Sequence, residues 1–181
     1  MKQAIALIFS TIAFTALNSA WAQDSEGEPM PSACVSTDPE VSDSSSWALR
    51  AVNLFEQQQY AKAVTTVDAC FDDWGPAAGH KQKRMWDIGR KCPRTGDVSK
   101  KDKRKIDKNG LLNDVSLALW AKARSLHELR QIEPAKQAYA QCIYMACGRA
   151  WDPQGWYWSP AEDCAKQAGE FIQDTPDSEG R

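Results

Sequence analysis

The stretch AWDPQGWYWSP at 150–160 concentrates the side chains best suited to binding or chemistry. Its candidate binding residues are Trp151, Asp152, Trp156, Tyr157 and Trp158. Indole and phenol faces stack on the C–H surfaces of sugars or anchor a protein partner. Glu162 and Asp163 follow the stretch, and two carboxylates about 5–10 Å apart across a sugar would permit glycoside hydrolysis. The aromatic residues could instead fold back into the hydrophobic core, and both readings stay open at this point.

The rest of the sequence offers no catalytic constellation. It has no phosphate-cradling glycine loop and no nucleophile elbow, and its two histidines lack the spacing of metal ligands. Helix capping already accounts for Glu162, because Ser-Pro-Ala-Glu at 159–162 is a capping-box arrangement. We therefore expect no catalytic residue, no cofactor, no metal site and no enzyme activity, with glycoside hydrolysis as the remaining enzymatic alternative.

The first 22 residues have the form of a secretory signal peptide. Lys2 is followed by an apolar run over 4–17, and Ala20-Trp21-Ala22 supplies the small residues of a cleavage site. The run is shorter than the ~20 residues that a membrane span needs. We expect cleavage after Ala22 and an exported protein, periplasmic or secreted, that does not span the membrane.

All six cysteines lie beyond this segment, and an even number in an oxidising compartment indicates disulfide bonds. Cys147 ends a predicted helical stretch, and Cys164 lies one turn into the helix that the capping box at 159–162 is expected to begin. We therefore expect a Cys147–Cys164 bridge that closes the aromatic stretch. The two other expected bridges are Cys34–Cys70 and Cys92–Cys142.

Two stretches carry apolar residues at helical spacing, and a shift of 72 positions aligns them. Each has a short polar turn near its middle, so each is expected to form an antiparallel helical hairpin. The aligned pairs are Trp47 with Leu119, Ala51 with Ala123, Leu54 with Leu126, Tyr60 with Ile132, Ala63 with Ala135, Val67 with Tyr139 and Cys70 with Cys142.

The aligned hairpins resemble the tetratricopeptide repeat, a helix–turn–helix unit of about 34 residues. The resemblance covers 44–77 and 116–149, and it departs where Cys70 and Cys142 stand in place of the usual alanine. It implies an all-α fold of antiparallel hairpins, closed by a C-terminal capping helix, whose surface binds a partner. The side chains that would face a ligand include Asn53, Arg124 and Glu128.

The repeat region defines the domain organisation. Residues 1–22 are the signal peptide, 23–46 an acidic and partly disordered arm, 47–172 the tetratricopeptide-like domain and 173–181 a polar tail. Residues 78–111 form a basic insertion within that domain.

The insertion is strongly basic, since 79–108 hold twelve Lys or Arg against four Asp. In an exported protein such a segment favours anionic lipid, polysaccharide or an acidic protein face over nucleic acid. It could also be a solvated insertion that folds against the acidic arm. We further expect a short helix over 80–91, with Met85, Trp86 and Ile88 directed inward.

Together these patterns predict an exported, disulfide-stapled helical module that binds or scaffolds protein partners in the cell envelope. The alternative is a glycan-binding or glucan-system accessory protein that acts through the aromatic residues 151–158.

Overall fold

The computed structural model describes residues 32 and 34–174, with the backbone alone for 172–174. The predicted signal peptide and its cleavage site, positions 23–31 and 33 of the arm and positions 175–181 of the tail lie outside the described residues. The described part is mostly helical. Its elements are α1 (Asp43–Glu56), α2 (Tyr60–Asp87), α3 (Lys100–Asp107), α4 (Gly110–Glu128), α5 (Ile132–Tyr144), β1 (Ala150–Asp152), β2 (Trp156–Trp158) and α6 (Pro160–Asp174).

The first two helices form an antiparallel pair. Phe55, near the end of α1, has its ring centroid 5.7 Å from that of Tyr60 at the start of α2. At the other end of α1, the fully buried Trp47 packs 4.9 Å from Trp74 and donates its indole N–H to the Thr66 carbonyl at 2.9 Å. The helix begins before residue 47, because the Ser42 side chain accepts the Ser45 amide and caps it.

The turn between α4 and α5 repeats the turn between α1 and α2. Gln58 and Arg130, 72 positions apart, both adopt left-handed backbone conformations, with φ of 59° and 55°. Each donates its amide to the carbonyl three residues earlier, that of Phe55 or His127, at 2.9 Å. Such a conformation is uncommon outside glycine, so the 72-residue repeat extends to the detailed backbone geometry of both turns.

Helix α2 is longer than expected, because it continues through Pro76 to Asp87. The prediction of a separate helix over 80–91 is therefore wrong. Ala78, Gln82 and Met85 are buried and extend the inward stripe of α2. Trp86 and Ile88, predicted to point inward, are 45% and 65% exposed, because they lie outside that stripe. Trp86 packs instead on Tyr144 at the surface, with ring centroids 4.7 Å apart.

Three disulfides staple the fold and leave no cysteine free. Cys34–Cys70 is as predicted. The other two predicted bridges, Cys147–Cys164 and Cys92–Cys142, are wrong, because their partners are exchanged. The observed bridges are Cys92–Cys147 and Cys142–Cys164.

Helix geometry explains the exchange. Cys142 is buried on α5, and its sulfur lies 3.5 Å from the Pro160 carbonyl at the start of α6. Cys147 lies beyond the end of α5, where its amide donates to the side chain of Gln82 on α2 at 2.8 Å. Cys147 thus faces the end of α2 and the segment that carries Cys92.

The aromatic stretch forms a small antiparallel hairpin instead of a loop. Gly155 closes its turn with φ of 111°, and its amide donates to the Asp152 carbonyl at 2.9 Å. Helix α6 begins as predicted, with the Ser159 hydroxyl accepting the Glu162 amide at 3.3 Å. It packs against α5 and α4, and α4 also contacts α1 and α2, so α4 lies at the centre of the fold. None of the described helices is both long enough and apolar enough to cross a membrane.

Candidate functional site

The register of the hairpin divides its aromatic residues between two faces. The paired residues are Ala150 with Trp158, Trp151 with Tyr157, and Asp152 with Trp156. Residues directly opposite each other share a face of the pair. Trp151 and Tyr157 therefore lie on one face, and Asp152, Trp156 and Trp158 on the other.

On the first face, Tyr157 belongs to the core and Trp151 to the surface. Tyr157 is 8% exposed, and its backbone exchanges two hydrogen bonds with Gly96, at 2.6 and 3.0 Å. Trp151 is 55% exposed and packs against the Tyr157 ring, with centroids 4.9 Å apart. Of the two alternatives that the sequence left open, packing into the core therefore applies to Tyr157, whereas Trp151 is accessible at the surface.

The second face borders an open cleft of about 480 Å³ between the hairpin and the first turns of α6. We call it the hairpin cleft. Its main lining residues are Trp156, Trp158, Glu162, Asp163 and Lys166. Trp156 is 38% exposed and Trp158 is half-buried. The cleft therefore combines two accessible indoles with charges of both signs.

Trp158 also ends a row of three half-buried rings, which we call the aromatic row. The Trp158 and Trp120 centroids lie 5.4 Å apart, and those of Trp120 and Phe55 lie 5.2 Å apart, both edge-on. This is the arrangement that the ring quadrupoles favour. The row joins the end of α1, the middle of α4 and the second strand of the hairpin.

Arg124 and Asp163 fix the row in place. The Arg124 guanidinium lies 5.7 Å from the Phe55 centroid and 5.9 Å from the Trp120 centroid. Asp163 accepts the Trp120 indole N–H at 2.7 Å and pairs with Arg124 at 3.4 Å. The carboxylate thus ties α6 to α4, and the cation lies against the aromatic surface beside the hairpin cleft.

A buried arginine, Arg149, links the two ends of the hairpin to the segment that contains Pro93. Arg149 is 5% exposed, and its guanidinium donates to the Pro93 carbonyl at 2.6 and 2.9 Å, to the Gly148 carbonyl at 2.6 Å and to the Ala146 carbonyl at 2.9 Å. A longer bond of 3.3 Å reaches the Ser159 hydroxyl. Burial lowers the pKa of Arg149.

The remaining predicted site residues are placed differently. Asp152 accepts the Gln154 amide at 2.8 Å and so stabilises the hairpin turn. Asn53 lines a separate shallow pocket beside the arm, and Glu128 is exposed on α4 beyond the row. Arg124 lies in the row, but it is stacked and paired there.

Sequence reasoning missed Trp120, Phe55 and Arg149 as site residues. Trp120 follows the inward Leu119, and a helix turns about 100° per residue, so its ring falls on the neighbouring face. This offset from the inward stripe is the sequence signal by which Trp120 could have been recognised as a residue beside the core. Only the tertiary structure shows that the hairpin covers this face.

No protein-family model, curated protein or solved structure matches the chain. Within the described residues, no three His, Cys, Asp or Glu side chains are grouped as metal ligands would be. The function is therefore argued from the geometry of the cleft and the row.

Proposed function

We propose that the protein is an exported binding and scaffold module of tetratricopeptide-like architecture, which receives a segment of a protein partner in the hairpin cleft and along the aromatic row. Three disulfides are typical of an oxidising compartment outside the cytoplasm. The observation that carries the proposal is the continuous row of half-buried rings between α1, α4 and the hairpin.

The packing order of the helices supports the repeat architecture. Helix α4 packs against both α1 and α2, and α6 packs in turn against both α4 and α5. In a stack of helical hairpins, each new first helix covers the preceding pair, and the last one caps the stack. The small buried residues Ala51 and Ala123 stand at equivalent positions of the two hairpins. On this reading, α1, α4 and α6 are the first helices that line one continuous binding surface.

The chemistry of this surface favours a protein ligand. Aromatic residues and arginine are enriched at the energetic centres of protein interfaces. The row provides the rings of Phe55, Trp120 and Trp158, with the Arg124 guanidinium stacked on two of them. Glu162 lies exposed at the rim of the cleft and forms no ion pair with any other described residue. We expect the partner segment to place an apolar or aromatic side chain on the row and a Lys or Arg near Glu162.

Trp156→Ala tests the proposal. Because Trp156 is 38% exposed, its loss should change the melting temperature little and should reduce crosslinking to an envelope protein, recovered and identified by mass spectrometry. Trp86→Ala is a matched control, since Trp86 is an indole with a similar exposure of 45% that does not line the cleft. Equal effects of the two variants on recovery, or none, would contradict a protein site in this cleft.

The exposed Trp151 favours a second candidate, glycan binding. Its indole face is accessible, as a sugar-stacking platform requires. Retention of the protein on cell-wall polysaccharide, lost in Trp151→Ala and kept in Trp86→Ala, would support this alternative. We propose no hydrolysis, since Asp163 is already held by Trp120 and Arg124. Turnover of a β-glucan that is lost in Asp163→Asn would contradict this part of the proposal.

A further inference from the structure

A second cavity, of about 380 Å³, lies between the end of α2, the segment 90–93 that follows it, and the junction of α3 with α4. We call it the basic cavity. Its lining residues are Met85, Arg90, Lys91, Pro93, Lys105, Lys108 and Asn109. Four of these seven are cationic and none is acidic. Met85, Pro93 and Asn109 are buried and form its floor.

Most of this positive charge is not neutralised within the described part of the chain. Lys105 pairs with Asp102 at 2.7 Å. Arg90, Lys91 and Lys108 form no ion pair with any carboxylate that the structure describes. Like charges that line one cavity repel one another, so an anion that enters the cavity relieves this repulsion.

Two further cations stand just outside the lining. The buried Arg149 guanidinium donates twice to the carbonyl of Pro93, and its five hydrogen bonds all go to uncharged oxygens. Lys81 donates to the Lys108 carbonyl at 2.6 Å. The pKa of Lys81 is lowered, first by burial and then by the nearby Arg84 and Arg90. Both cations add to the positive potential of the cavity.

The backbone around the cavity is held by a disulfide bond and by the start of helix α4. The Cys92–Cys147 disulfide fixes the segment 90–93 against the end of α5. Asn109 is the N-cap residue of α4, whose 19 residues direct a positive dipole end at the cavity. Because this backbone is already fixed, it loses little conformational entropy when a ligand binds.

We propose that the basic cavity is a binding site for a phosphate-bearing ligand. A phosphate group carries up to two negative charges and presents several acceptor oxygens, which suits converging Lys and Arg donors better than a single carboxylate does. The volume exceeds that of one phosphate, and Met85 and Pro93 provide apolar contact for the attached group. The phosphate could belong to a soluble molecule or to a lipid headgroup.

Calorimetric titration with pyrophosphate, at constant ionic strength, tests the proposal on the full disulfide-bonded protein. Arg90→Gln and Lys108→Gln should each weaken binding about ten-fold or more, because each removes a charge-assisted hydrogen bond. Lys100→Gln and Lys101→Gln are matched controls, since both lysines are exposed on α3 outside the lining. The controls should bind as the wild type does. Circular dichroism checks that every variant is folded.

Sedimentation with vesicles of phosphatidylglycerol in phosphatidylcholine distinguishes the two sources of phosphate. Binding to pyrophosphate that depends on Arg90 and Lys108 supports a soluble ligand. Vesicle binding with the same dependence, and no affinity for pyrophosphate, supports a lipid headgroup. Equal losses in the lining and control variants would overturn the proposal, because they indicate unspecific charge attraction. Failure to bind either probe would overturn it as well.

Discussion

Replacing Arg149 with methionine measures how strongly the buried guanidinium holds the hairpin. Methionine keeps most of the volume of the side chain, but it removes every donor to the carbonyls of Pro93, Ala146 and Gly148. An acceptor that loses its partner in a buried setting costs about 1–3 kcal/mol. Three acceptors together would cost about 3–9 kcal/mol by the same measure.

Burying the Arg149 charge costs the wild type several kcal/mol of desolvation free energy. The methionine variant avoids this cost, which offsets part of the stability lost with the hydrogen bonds. We expect Arg149→Met to lower the free energy of unfolding by about 2–4 kcal/mol, a large share of the ~5–15 kcal/mol typical of a domain. Urea unfolding followed by tryptophan fluorescence, with the disulfides intact, measures the change. Arg149→Lys keeps the charge without the planar fork, so its loss should be smaller. If Arg149→Met is as stable as the wild type, the desolvation cost dominates and the network does not stabilise the hairpin.

Three further outcomes follow from buried groups elsewhere. Burial raises the pKa of Asp114 above 3.8, so the contribution of this carboxyl group to wild-type stability should fall as the pH rises above that value. Asp114→Asn should therefore gain stability relative to wild type between about pH 4 and pH 7 in urea unfolding, and a constant difference between the two proteins would contradict this reasoning. Replacing Cys142 and Cys164 with serine opens a bridge of sequence separation 22 and should cost about 3 kcal/mol in the same assay; an unchanged midpoint would argue against the bridge. Tyr157→Ala should cost about 3–4 kcal/mol, whereas Trp151→Ala should cost under about 1 kcal/mol; equal melting temperatures would contradict the assignment of Tyr157 to the core and of Trp151 to the surface.

Much of the helical framework could be predicted, because its signals are local. The apolar stripes and polar turns repeat at 72 positions, and the structure places a helix–turn–helix at both. The cap of α6 could be predicted for the same reason, since Ser159 and Glu162 lie within one turn. Such patterns depend on residues a few positions apart, and those are visible in a sequence.

The continuation of α2 was hidden by a polar residue in its inward stripe. Gln82 is fully buried, and its side chain accepts the amide of Cys147, 65 positions away. Without that partner, glutamine at this position and Pro76 before it indicate a helix end. The hairpin was missed because strands of three residues show no alternation, although Asp152 and Gly155 are typical turn residues.

The candidate site could be predicted only in part. Trp156 and Trp158 are neighbours in sequence, and their pattern is conspicuous. Trp120 and Phe55 join them through contacts between α1, α4 and the hairpin, which no short-range pattern records. The basic segment was visible as a charge excess, but its cavity depends on the Cys92–Cys147 bridge, which the sequence assigned to other partners.

The Cys92–Cys147 and Cys142–Cys164 bridges overlap in sequence, and this overlap affects the order in which the disulfides can form. As the chain emerges N-terminus first, Cys34 and Cys70 can join before any competitor appears. Cys92 then meets Cys142 before its native partner Cys147 has emerged, and oxidation in order of synthesis would trap the non-native bond. Correct pairing therefore depends on α5 first docking, which turns Cys142 away toward α6, or on later thiol exchange. Cells that lack a disulfide isomerase should accumulate the protein with exchanged bridges, visible in peptide maps of the unreduced chain.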